Sequence, residues 1–483
     1  MPSLPHDVVN LEEYRRSGHK VVDWIADYRQ NVADLPVMAS VEPGSVYDAL
    51  PAQAPEDPEA IDAILADVDA LVVPALTHWQ SPNWFAYFPS NAAEASLLGD
   101  MLSTGLGVQG MLWSTSPACT EVEMRMLDWT AHALGLPDAF RFDVDGPGGG
   151  VIQDTASSAV LACMIAARER ATEGRTATTG LDQSSSPLVA YTSLQSHSSI
   201  EKSTRLCGIG SDNLRLIEGD AEYAMCPDAF ETRLQADLAS GAKPFFVNLT
   251  LGTTASGAFD SLAAIGSIAR THGLWVHVDA AMMGTAALCE EFRGMHEGIE
   301  HVDSWSFNPH KWMGAAFDCN CLWLRDTESL ISAMSIMPEF LRNRPTDSGK
   351  VVDYRDWQIP LGRRFRALKL WFLYRGIGLA GLRSMVREHV RLTAELATWI
   401  EADEHLELAA PRSLNLVCFR HTGGDEPTRA LLHALNDSGE MSLSHCDLDG
   451  RIALRISIGQ WRTTAEHVQA SWQRIAATAR ELG

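Results

Sequence analysis

The sequence predicts an α/β protein with a large, mostly parallel sheet covered by helices on both faces, followed by a smaller α+β domain. From about residue 147 to 330, short apolar runs of strand type alternate with helical patterns, which is typical of parallel sheets with helical crossovers. After about residue 376 the pattern changes to a long helix and short strands. A chain of 483 residues is long enough for more than one domain and a large core.

The central region contains apolar runs of the length expected for buried strands. They are Leu188–Thr192, Phe245–Leu249, Leu274–Val278, Trp305–Phe307 and Cys321–Leu324. Helical patterns lie between them, for example at Ala156–Arg170 and Leu262–Thr271. Residues 171–187 and 341–350 are polar and rich in turn-forming residues, which predicts a surface insertion and a mobile loop.

The two ends of the chain predict further elements. Residues 11–33 carry apolar side chains at helical spacing and predict an amphipathic helix, packed either on a domain or against a partner. Residues 35–60 contain several prolines and predict an extended connector. A helix at 378–401 and strands at 414–420 and 452–458 are expected in the C-terminal domain.

Composition excludes several classes of function. The net charge of −24 argues against binding to nucleic acid or to anionic membranes, because both require a basic surface. Only Cys319 and Cys321 among the nine cysteines are close, and their spacing fits neither a zinc site nor a redox pair. We therefore expect reduced thiols in a cytosol and no metal site.

Neither the N-terminus nor the longest charge-free stretch of the chain has the pattern of a targeting or membrane-spanning segment. The N-terminus has no basic region followed by an apolar core, which predicts that there is no signal peptide and that the protein is cytoplasmic. The charge-free stretch Met101–Thr120 is long enough to span a bilayer, but polar residues and Pro117 interrupt it and argue against a span.

A phosphate site is suggested by the glycine run at residues 148–150, which leads into a predicted helix beginning near Ala156. The start of a helix presents free backbone N–H groups and the positive end of its dipole, which favours an anion. Thr155 and Ser157 could add hydroxyl donors. The alternative is an ordinary capped helix.

Two polar residues follow predicted strands: Asp279 after Leu274–Val278 and Lys311 after Trp305–Phe307. Ligands of such sheets bind at the carboxyl ends of the strands. A buried carboxylate needs a cationic partner, which a protonated pyridine nitrogen provides. A lysine whose pKa is lowered by partial burial can form a Schiff base. Together they predict pyridoxal 5'-phosphate (PLP) as cofactor. His197 could stack on its ring, although a lone histidine is more often structural.

Longer motifs resemble those of the aromatic L-amino-acid decarboxylases, which are group II pyridoxal-dependent decarboxylases. The motifs are Thr77–Pro82, Phe85–Pro89, Ser116–Glu121, His277–Ala281, Asn308–Trp312 and Trp357–Arg366. The resemblance implies the PLP-dependent transferase fold type I and a homodimer with active sites at the interface. It also implies three parts: an N-terminal helical dimerisation segment (1–84), a PLP-binding large domain (85–375) and a small C-terminal domain (376–483).

The same resemblance implies roles for individual residues. Lys311 corresponds to the Schiff-base lysine, Asp279 to the partner of the pyridine nitrogen, and His197 to the residue that stacks on the ring. The other cofactor contacts that we expect are Ser90, Thr155, Ala156, Ser157, Thr253, Ala281, Asn308 and His310. Ser90 stands where the family usually has a threonine, and it keeps the hydroxyl.

One departure from the family pattern concerns the product. Relatives carry a tyrosine on a mobile loop ahead of an Asp-Ser-Gly sequence, which is Asp347–Gly349 here, and the corresponding residue is Phe340. The tyrosine is thought to protonate Cα after CO2 leaves, and phenylalanine has no proton to give. Members described as aromatic acetaldehyde synthases share this change. We expect reaction with O2 to give an aryl acetaldehyde, NH3 and H2O2. Protonation of Cα by water or His197, which would give the amine, is the alternative.

The substrate is expected to be tryptophan, phenylalanine, tyrosine or DOPA. Gly362 stands where serine in relatives narrows the pocket, so it leaves room for a large ring. The other residues expected to line the pocket, unless they only pack in the core, are Trp79, Tyr87, Phe88 and Met111. Two other classes of protein with this cofactor site are a scaffold without turnover and an aminotransferase. Retention of Lys311 and Asp279 argues against a scaffold without turnover, and an aminotransferase would exchange keto acids without releasing CO2.

Overall fold

The computed structural model describes residues 11–184, 186–336 and 343–483, and in these residues a seven-stranded sheet forms the centre of the molecule. Its strands are β1 (Gly149–Gln153), β2 (Leu188–Ser193), β3 (Leu214–Ile217), β4 (Lys243–Thr250), β5 (Trp275–Asp279), β6 (Ser304–Phe307) and β7 (Asn320–Leu324). Their order is β1-β7-β6-β5-β4-β2-β3. Strand β7 is antiparallel to β1 and β6, whereas β6, β5, β4, β2 and β3 are mutually parallel. The predicted mostly parallel sheet is confirmed.

Helices cover both faces of this sheet, and further helices lie near both ends of the chain. They are α1 (Leu11–Asn31), α2 (Ser45–Ala49), α3 (Ile61–Asp67), α4 (Glu94–Leu106), α5 (Pro117–Leu134), α6 (Ala156–Thr172), α7 (Thr176–Thr179), α8 (Ser199–Leu206), α9 (Pro227–Ala239), α10 (Leu262–Thr271), α11 (Glu328–Met334), α12 (Arg344–Asp347), α13 (Ala367–Gly376), α14 (Gly378–Glu401), α15 (Asp425–Asp437) and α16 (Ala465–Glu481). Helices α5, α9, α10 and α13 share one core with the sheet, and α6 and α8 share the other. Because side chains alternate along a strand, Val276 and Val278 enter the first core and Trp275 the second.

The C-terminal part forms a second layered unit. Its strands are β8 (Leu406–Leu408), β9 (Leu416–His421), β10 (Ser444–Leu448) and β11 (Arg451–Ser457), in the antiparallel order β10-β11-β9-β8. Helices α14, α15 and α16 supply its apolar core, and Phe85 belongs to that core. The Phe85 backbone N–H donates to the Ser442 carbonyl at 3.0 Å, and its carbonyl accepts from the Ser457 N–H at 3.0 Å. The first residues assigned to the large domain therefore pack on the small one.

Most predicted elements are found within a few residues of their expected bounds, and the differences are local. The connector at 35–60 contains the short helix α2, and the polar insertion at 171–187 contains α7. The charge-free stretch from Met101 is divided, because α4 ends at Leu106 and α5 begins at Pro117. Within the three described ranges, no helix is long and apolar enough to cross a membrane.

The topology brings polar chain segments to one edge of the large sheet. Strands β2, β4, β5 and β6 are parallel and end at that edge, and α6 begins there after β1. This is the edge at which open α/β sheets bind ligands.

Candidate active site

A cavity of about 160 Å³ lies at this edge of the sheet. It is lined by Phe88, Thr155, Ala156, Ser157, His197, Thr250, Gly252, Thr254, Asp279, Ala281, Asn308, His310 and Lys311. A larger cavity of about 400 Å³ lies between Pro36 and Arg474, away from the strand ends. We assign the chemistry to the smaller cavity because it alone of the two brings together a lysine, a carboxylate and the start of a long helix.

Asp279 is the last residue of β5, and the strand carries its carboxylate to the base of the cavity. The side chain is buried, and its Oδ1 accepts a hydrogen bond from the Ala281 backbone N–H at 3.0 Å. No ion pair joins it to a side chain of the described residues. A buried carboxylate in this situation calls for a cationic partner from a ligand.

Lys311 lies on the helical turn Pro309–Met313 that follows β6, and its φ of −97° and ψ of −110° depart from the helix there. The Asn91 Nδ2 donates to the Lys311 carbonyl at 2.9 Å and holds this backbone. Burial lowers the pKa of the Lys311 amine, the nearby Arg455 guanidinium lowers it further, and Asp279 opposes both. The lysine is therefore more easily deprotonated than an exposed one, as a nucleophilic amine requires.

His197 follows β2 and borders the cavity. Its Nδ1 accepts from the Ser199 backbone N–H at 3.1 Å, so a neutral ring carries its proton on Nε2. Although more than a third of the residue is exposed on the single chain, the protein atoms around the ring lower its pKa, and Lys311 adds to this effect while Asp279 opposes it. The ring is thus a neutral, partly open surface beside the cavity.

An anion site is formed where α6 begins. Thr155 precedes the helix as its N-cap, and the helix has 17 residues, long enough for a developed dipole. His310 and Asn308 also border the cavity. The His310 Nδ1 accepts from the Cys319 N–H at 2.9 Å, and burial lowers the pKa of His310 to about 3, so its Nε2 carries a proton. The Asn308 Oδ1 accepts from Asn320 at 2.8 Å, which leaves the Asn308 amide as a donor.

These features fit PLP. The buried carboxylate without a cation, the amine of lowered pKa and the helix start with added donors match the ring nitrogen, aldehyde and phosphate of that molecule.

Some of the expected cofactor residues lie outside the cavity lining. Thr253 is buried, and its hydroxyl lies 3.0 Å from Ser256 Oγ, whereas its neighbours Gly252 and Thr254 line the cavity. Ser90 is held nearby, with its Oγ donating to the His310 carbonyl at 3.4 Å. Sequence reasoning missed Thr250, Gly252 and Thr254, although a polar residue at the end of the strand run Phe245–Leu249 was a usable signal.

The expected substrate residues are divided between three places. Phe88 lines the cavity, with its ring centre 5.3 Å from the Lys311 Nζ. Trp79 and Tyr87 stack on each other at 5.8 Å and remain exposed. Met111 and Gly362 belong to neighbouring loops away from the lining: the Met111 carbonyl accepts from the Arg355 N–H, and the Gly362 carbonyl accepts from Gln358. Phe340 lies outside the described residues.

Comparison with known proteins agrees with this geometry. A pyridoxal-dependent decarboxylase conserved domain matches residues 43–422. The chain is 44% identical to the phenylacetaldehyde synthase of Arabidopsis thaliana, over 99% of this chain and 97% of the relative. It is 41% identical to tryptophan decarboxylase 2 of Oryza sativa subsp. japonica, over 98% of this chain and 96% of the relative.

Solved structures extend the similarity to the whole fold. The crystal structure of Oryza sativa TDC with PLP and tryptamine superposes with a TM-score of 0.93 at 38% identity, covering 100% of this chain and 99% of that one. The 4-hydroxyphenylacetaldehyde synthase of Rhodiola rosea gives a TM-score of 0.91 at 38% identity, covering 98% and 99%. With a matching family domain and a cavity suited to the same cofactor, the chain belongs to the pyridoxal-dependent decarboxylase family and is a PLP-dependent enzyme.

Proposed function

We propose that the protein removes CO2 from an aromatic L-amino acid and releases an aryl acetaldehyde. The amino acid, O2 and H2O would give the aldehyde, CO2, NH3 and H2O2, so that O2 takes up the two electrons lost by the amine-bearing carbon. The observation that carries this proposal is Phe340, at the position where the family resemblance implies a tyrosine. The Arabidopsis thaliana phenylacetaldehyde synthase is a similar relative, at 44% identity.

In the proposed arrangement, Lys311 would hold the cofactor covalently, and Asp279 would pair with its ring nitrogen. His197 would lie against the ring. The start of α6, with Thr155, Ala156, Ser157 and the donors of Asn308 and His310, binds the phosphate. Ala281 would border the ring, and Ser90 and Thr253 would lie behind the cavity lining. When bound, PLP supplies the electron-withdrawing system that makes loss of CO2 from the substrate feasible.

Proton supply to Cα decides between the two products. Once CO2 has left, Cα carries electron density that either takes up a proton, giving the amine, or is lost to O2. A tyrosine hydroxyl is a general acid, whereas the phenylalanine ring at position 340 has no exchangeable proton. Removing the acid prolongs the time available for O2 to react.

Simple decarboxylation to the arylalkylamine is the second candidate. It is favoured by His197, whose Nε2 carries the proton of the neutral ring and which borders the cavity. The 41% identity with a tryptophan decarboxylase of Oryza sativa also supports it.

Product analysis separates the candidates. The purified enzyme is incubated with tryptophan, phenylalanine, tyrosine and DOPA, and CO2, O2 uptake, peroxide and organic products are quantified, the last by mass spectrometry. The aldehyde route requires equal amounts of CO2, peroxide and aldehyde. Stoichiometric amine without peroxide would establish the second candidate. Keto-acid formation without CO2 would contradict both.

For the substrate, we propose that Gly362 leaves space for a large aromatic ring. A Cβ at this position would meet Gln109 Nε2 at 3.6 Å, an ordinary contact, so its own chain does not require glycine there. Trp79, Tyr87, Phe88 and Met111 would supply the remaining aromatic and apolar surface.

We also propose a homodimer, because α4 has an unpaired apolar face. Leu98, Met101, Leu102 and Leu106 recur at helical spacing, and each is between 44% and 53% exposed. The opposite face of α4 packs closely on α13, since a Cβ at Gly99 would lie 2.6 Å from the Leu368 carbonyl oxygen. An apolar face of this size on a soluble enzyme favours an interface.

A further inference from the structure

A layer of buried polar side chains lies directly behind Asp279 in the large sheet. Asn248, His277 and Ser304 are in register on β4, β5 and β6, and Asp279 is in register with Ser306. All of these except Asp279 are fully buried. Residues two apart on a strand share a face, so His277 and Asp279 project from β5 in the same direction. The cavity lining includes Asp279 but not His277.

The hydrogen bonds of His277 favour one arrangement of its proton. Its Nδ1 lies 2.8 Å from Ser304 Oγ, and that oxygen also accepts from the Trp275 Nε1–H at 2.8 Å. The Ser304 hydroxyl has one hydrogen and also contacts the Cys163 thiol. In the arrangement in which Ser304 donates this hydrogen to His277 and not to Cys163, the proton of the neutral imidazole is on Nε2. Burial lowers the pKa of His277 to about 4, so the ring is neutral at physiological pH and the choice between its two tautomers has consequences.

The polar groups near the His277 Nε2 favour an N–H at that nitrogen over a lone pair. The Asn248 Nδ2 donates to Thr192 Oγ1 at 3.3 Å and to Thr250 Oγ1 at 3.2 Å, so the Asn248 Oδ1 is left as an acceptor. This Oδ1 and the His277 Nε2 are both buried, and neither has a hydrogen-bond partner within the described ranges. By strand register, the polar groups on this face beside His277 include the Asn248 amide and the Asp279 carboxylate. No acceptor of a described residue lies within hydrogen-bond distance of Nε2, but an N–H there is electrostatically attracted to the Asn248 Oδ1 and the carboxylate, whereas a lone pair is repelled by them.

We propose that His277 is a positioning residue for Asp279, held by Ser304 as the Nε2–H tautomer so that an N–H dipole, and not a lone pair, faces the side of the sheet that carries the carboxylate. This inference rests on the proposed pairing of Asp279 with the ring nitrogen of PLP, and it is independent of which product is released. The opposite tautomer would place a lone pair on the same face as the carboxylate, and an apolar ring would remove the dipole.

Cofactor binding tests the proposal with a readout other than turnover. PLP is removed from the enzyme and added back to wild type, His277→Phe, His277→Gln and Ser304→Ala, and the dissociation constant and the visible absorption of bound PLP are measured. We expect His277→Phe and Ser304→Ala to weaken PLP binding by about tenfold, in the range typical of groups that orient a ligating residue, and to reduce the visible band. The His277→Gln variant retains an N–H and should keep most of the PLP affinity and most of the visible band.

Ser306→Ala is the matched control. Ser306 is a serine of the same strand and face, equally buried, and its hydroxyl makes no hydrogen bond with a described residue. We expect it to bind PLP as wild type does. Unchanged PLP affinity and absorption in His277→Phe would overturn the proposal, and so would equal losses in His277→Gln and His277→Phe, which would indicate packing alone.

A separate variant tests the assumption on which the inference rests. If Asp279→Asn binds PLP with unchanged affinity and absorption, the proposed pairing of Asp279 with the ring nitrogen is wrong. If Asp279→Asn alters both and His277→Phe alters neither, only the role of His277 is wrong.

Discussion

Burial lowers the pKa of two side chains around the cavity that would otherwise carry positive charge. The pKa of the Lys311 amine is lowered, and the pKa of His310 is lowered to about 3, which keeps that ring neutral with a donor N–H at the proposed phosphate site. In the proposed arrangement, one buried cavity can therefore hold a nucleophilic amine and a neutral donor at the same pH.

Phe340→Tyr is expected to restore a proton donor and shift the product from aldehyde towards amine. A general acid contributes about 10²–10⁴-fold to proton transfer, so the ratio of amine to aldehyde should rise by at least about tenfold, with a parallel fall in peroxide. Mass spectrometry and a peroxide assay measure the change. Phe340→Leu, which adds no acid, is the control and should keep the wild-type ratio. The same ratio in Phe340→Tyr would count against a role for position 340.

At the scale of elements, helix α12 and Asp353 lie on the C-terminal side of position 340 and are held by hydrogen bonds. Helix α12 is tied to the loop before α5 through Asp353, whose Oδ1 accepts from the Trp113 N–H at 2.8 Å and whose Oδ2 accepts from Thr346 Oγ1 at 2.5 Å. Asp353 is buried, and its two partners are partly exposed. Helix α12 is therefore anchored, through Asp353, to the loop before α5.

Asp353→Ala should release this anchor. The half-buried Trp113 N–H would lose its acceptor, at a cost of about 0.5–1.5 kcal/mol, and α12 would detach more often. We expect faster proteolytic cleavage between residues 343 and 350 and a lower kcat, with PLP affinity unchanged. Asp347→Ala, an exposed carboxylate of the same segment, is the control. A loss of PLP binding equal to the loss of kcat would show that the anchor acts on the whole site instead.

The loop of Gly362 offers a test of substrate choice. Because a Cβ fits beside Gln109, Gly362→Ser should fold with an unchanged unfolding midpoint. If the position borders the substrate ring, kcat/KM for tryptophan should fall relative to that for tyrosine, by about tenfold for a lost fit of one or two atoms. Gly362→Ala separates the effect of bulk from that of the hydroxyl. Equal kcat/KM ratios in all three proteins would remove Gly362 from the substrate pocket.

At the scale of the whole molecule, the apolar face of α4 predicts a dimer of two 52.8 kDa chains. Leu102→Glu places a charge in the proposed interface and should convert the protein to monomers with little activity, as measured by light scattering after size-exclusion chromatography. Leu206→Glu, at an exposed leucine of α8, is the control and should remain dimeric. A monomeric wild-type enzyme of full activity would exclude shared active sites.

Buried histidines predict how stability responds to acid. Burial lowers the pKa of His389 and of His296 to about 4, below the value of about 6.5 in an unfolded chain. The unfolded state then binds more protons between these two values, so the free energy of unfolding is at its full value above pH 6.5 and falls as the pH drops towards 4.

His389→Gln should make this decline shallower by about 1.4 kcal/mol per pH unit, the full contribution of one such group. Denaturant unfolding at several pH values between 5 and 6.5 measures the slope. His445→Gln changes an exposed histidine and should leave the slope as it is. A wild-type slope in His389→Gln would show that this histidine is protonated equally in both states.

Local patterns were sufficient for much of the fold and of the site. The apolar runs ending near Thr192, Leu249 and Val278 became β2, β4 and β5 because buried parallel strands are continuously apolar. Lys311 and Asp279 were recognisable because each follows such a run, and parallel strands end at one edge. Four strands, β1, β3, β8 and β10, were not predicted. Strands β3 and β8 have four residues or fewer, and β1 begins inside the glycine run at 148–150, which was interpreted as a turn before α6.

The sequence by itself thus determined the element types, the family and the pair formed by Lys311 and Asp279, because these depend on periodicity and on residues adjacent in the chain. Only the tertiary structure decided that Thr250, Gly252 and Thr254 line the cavity, whereas Thr253 does not. It also placed His277 and Ser304 behind Asp279. Such relations depend on strand order and register, which bring together residues far apart in the chain and which no local pattern encodes.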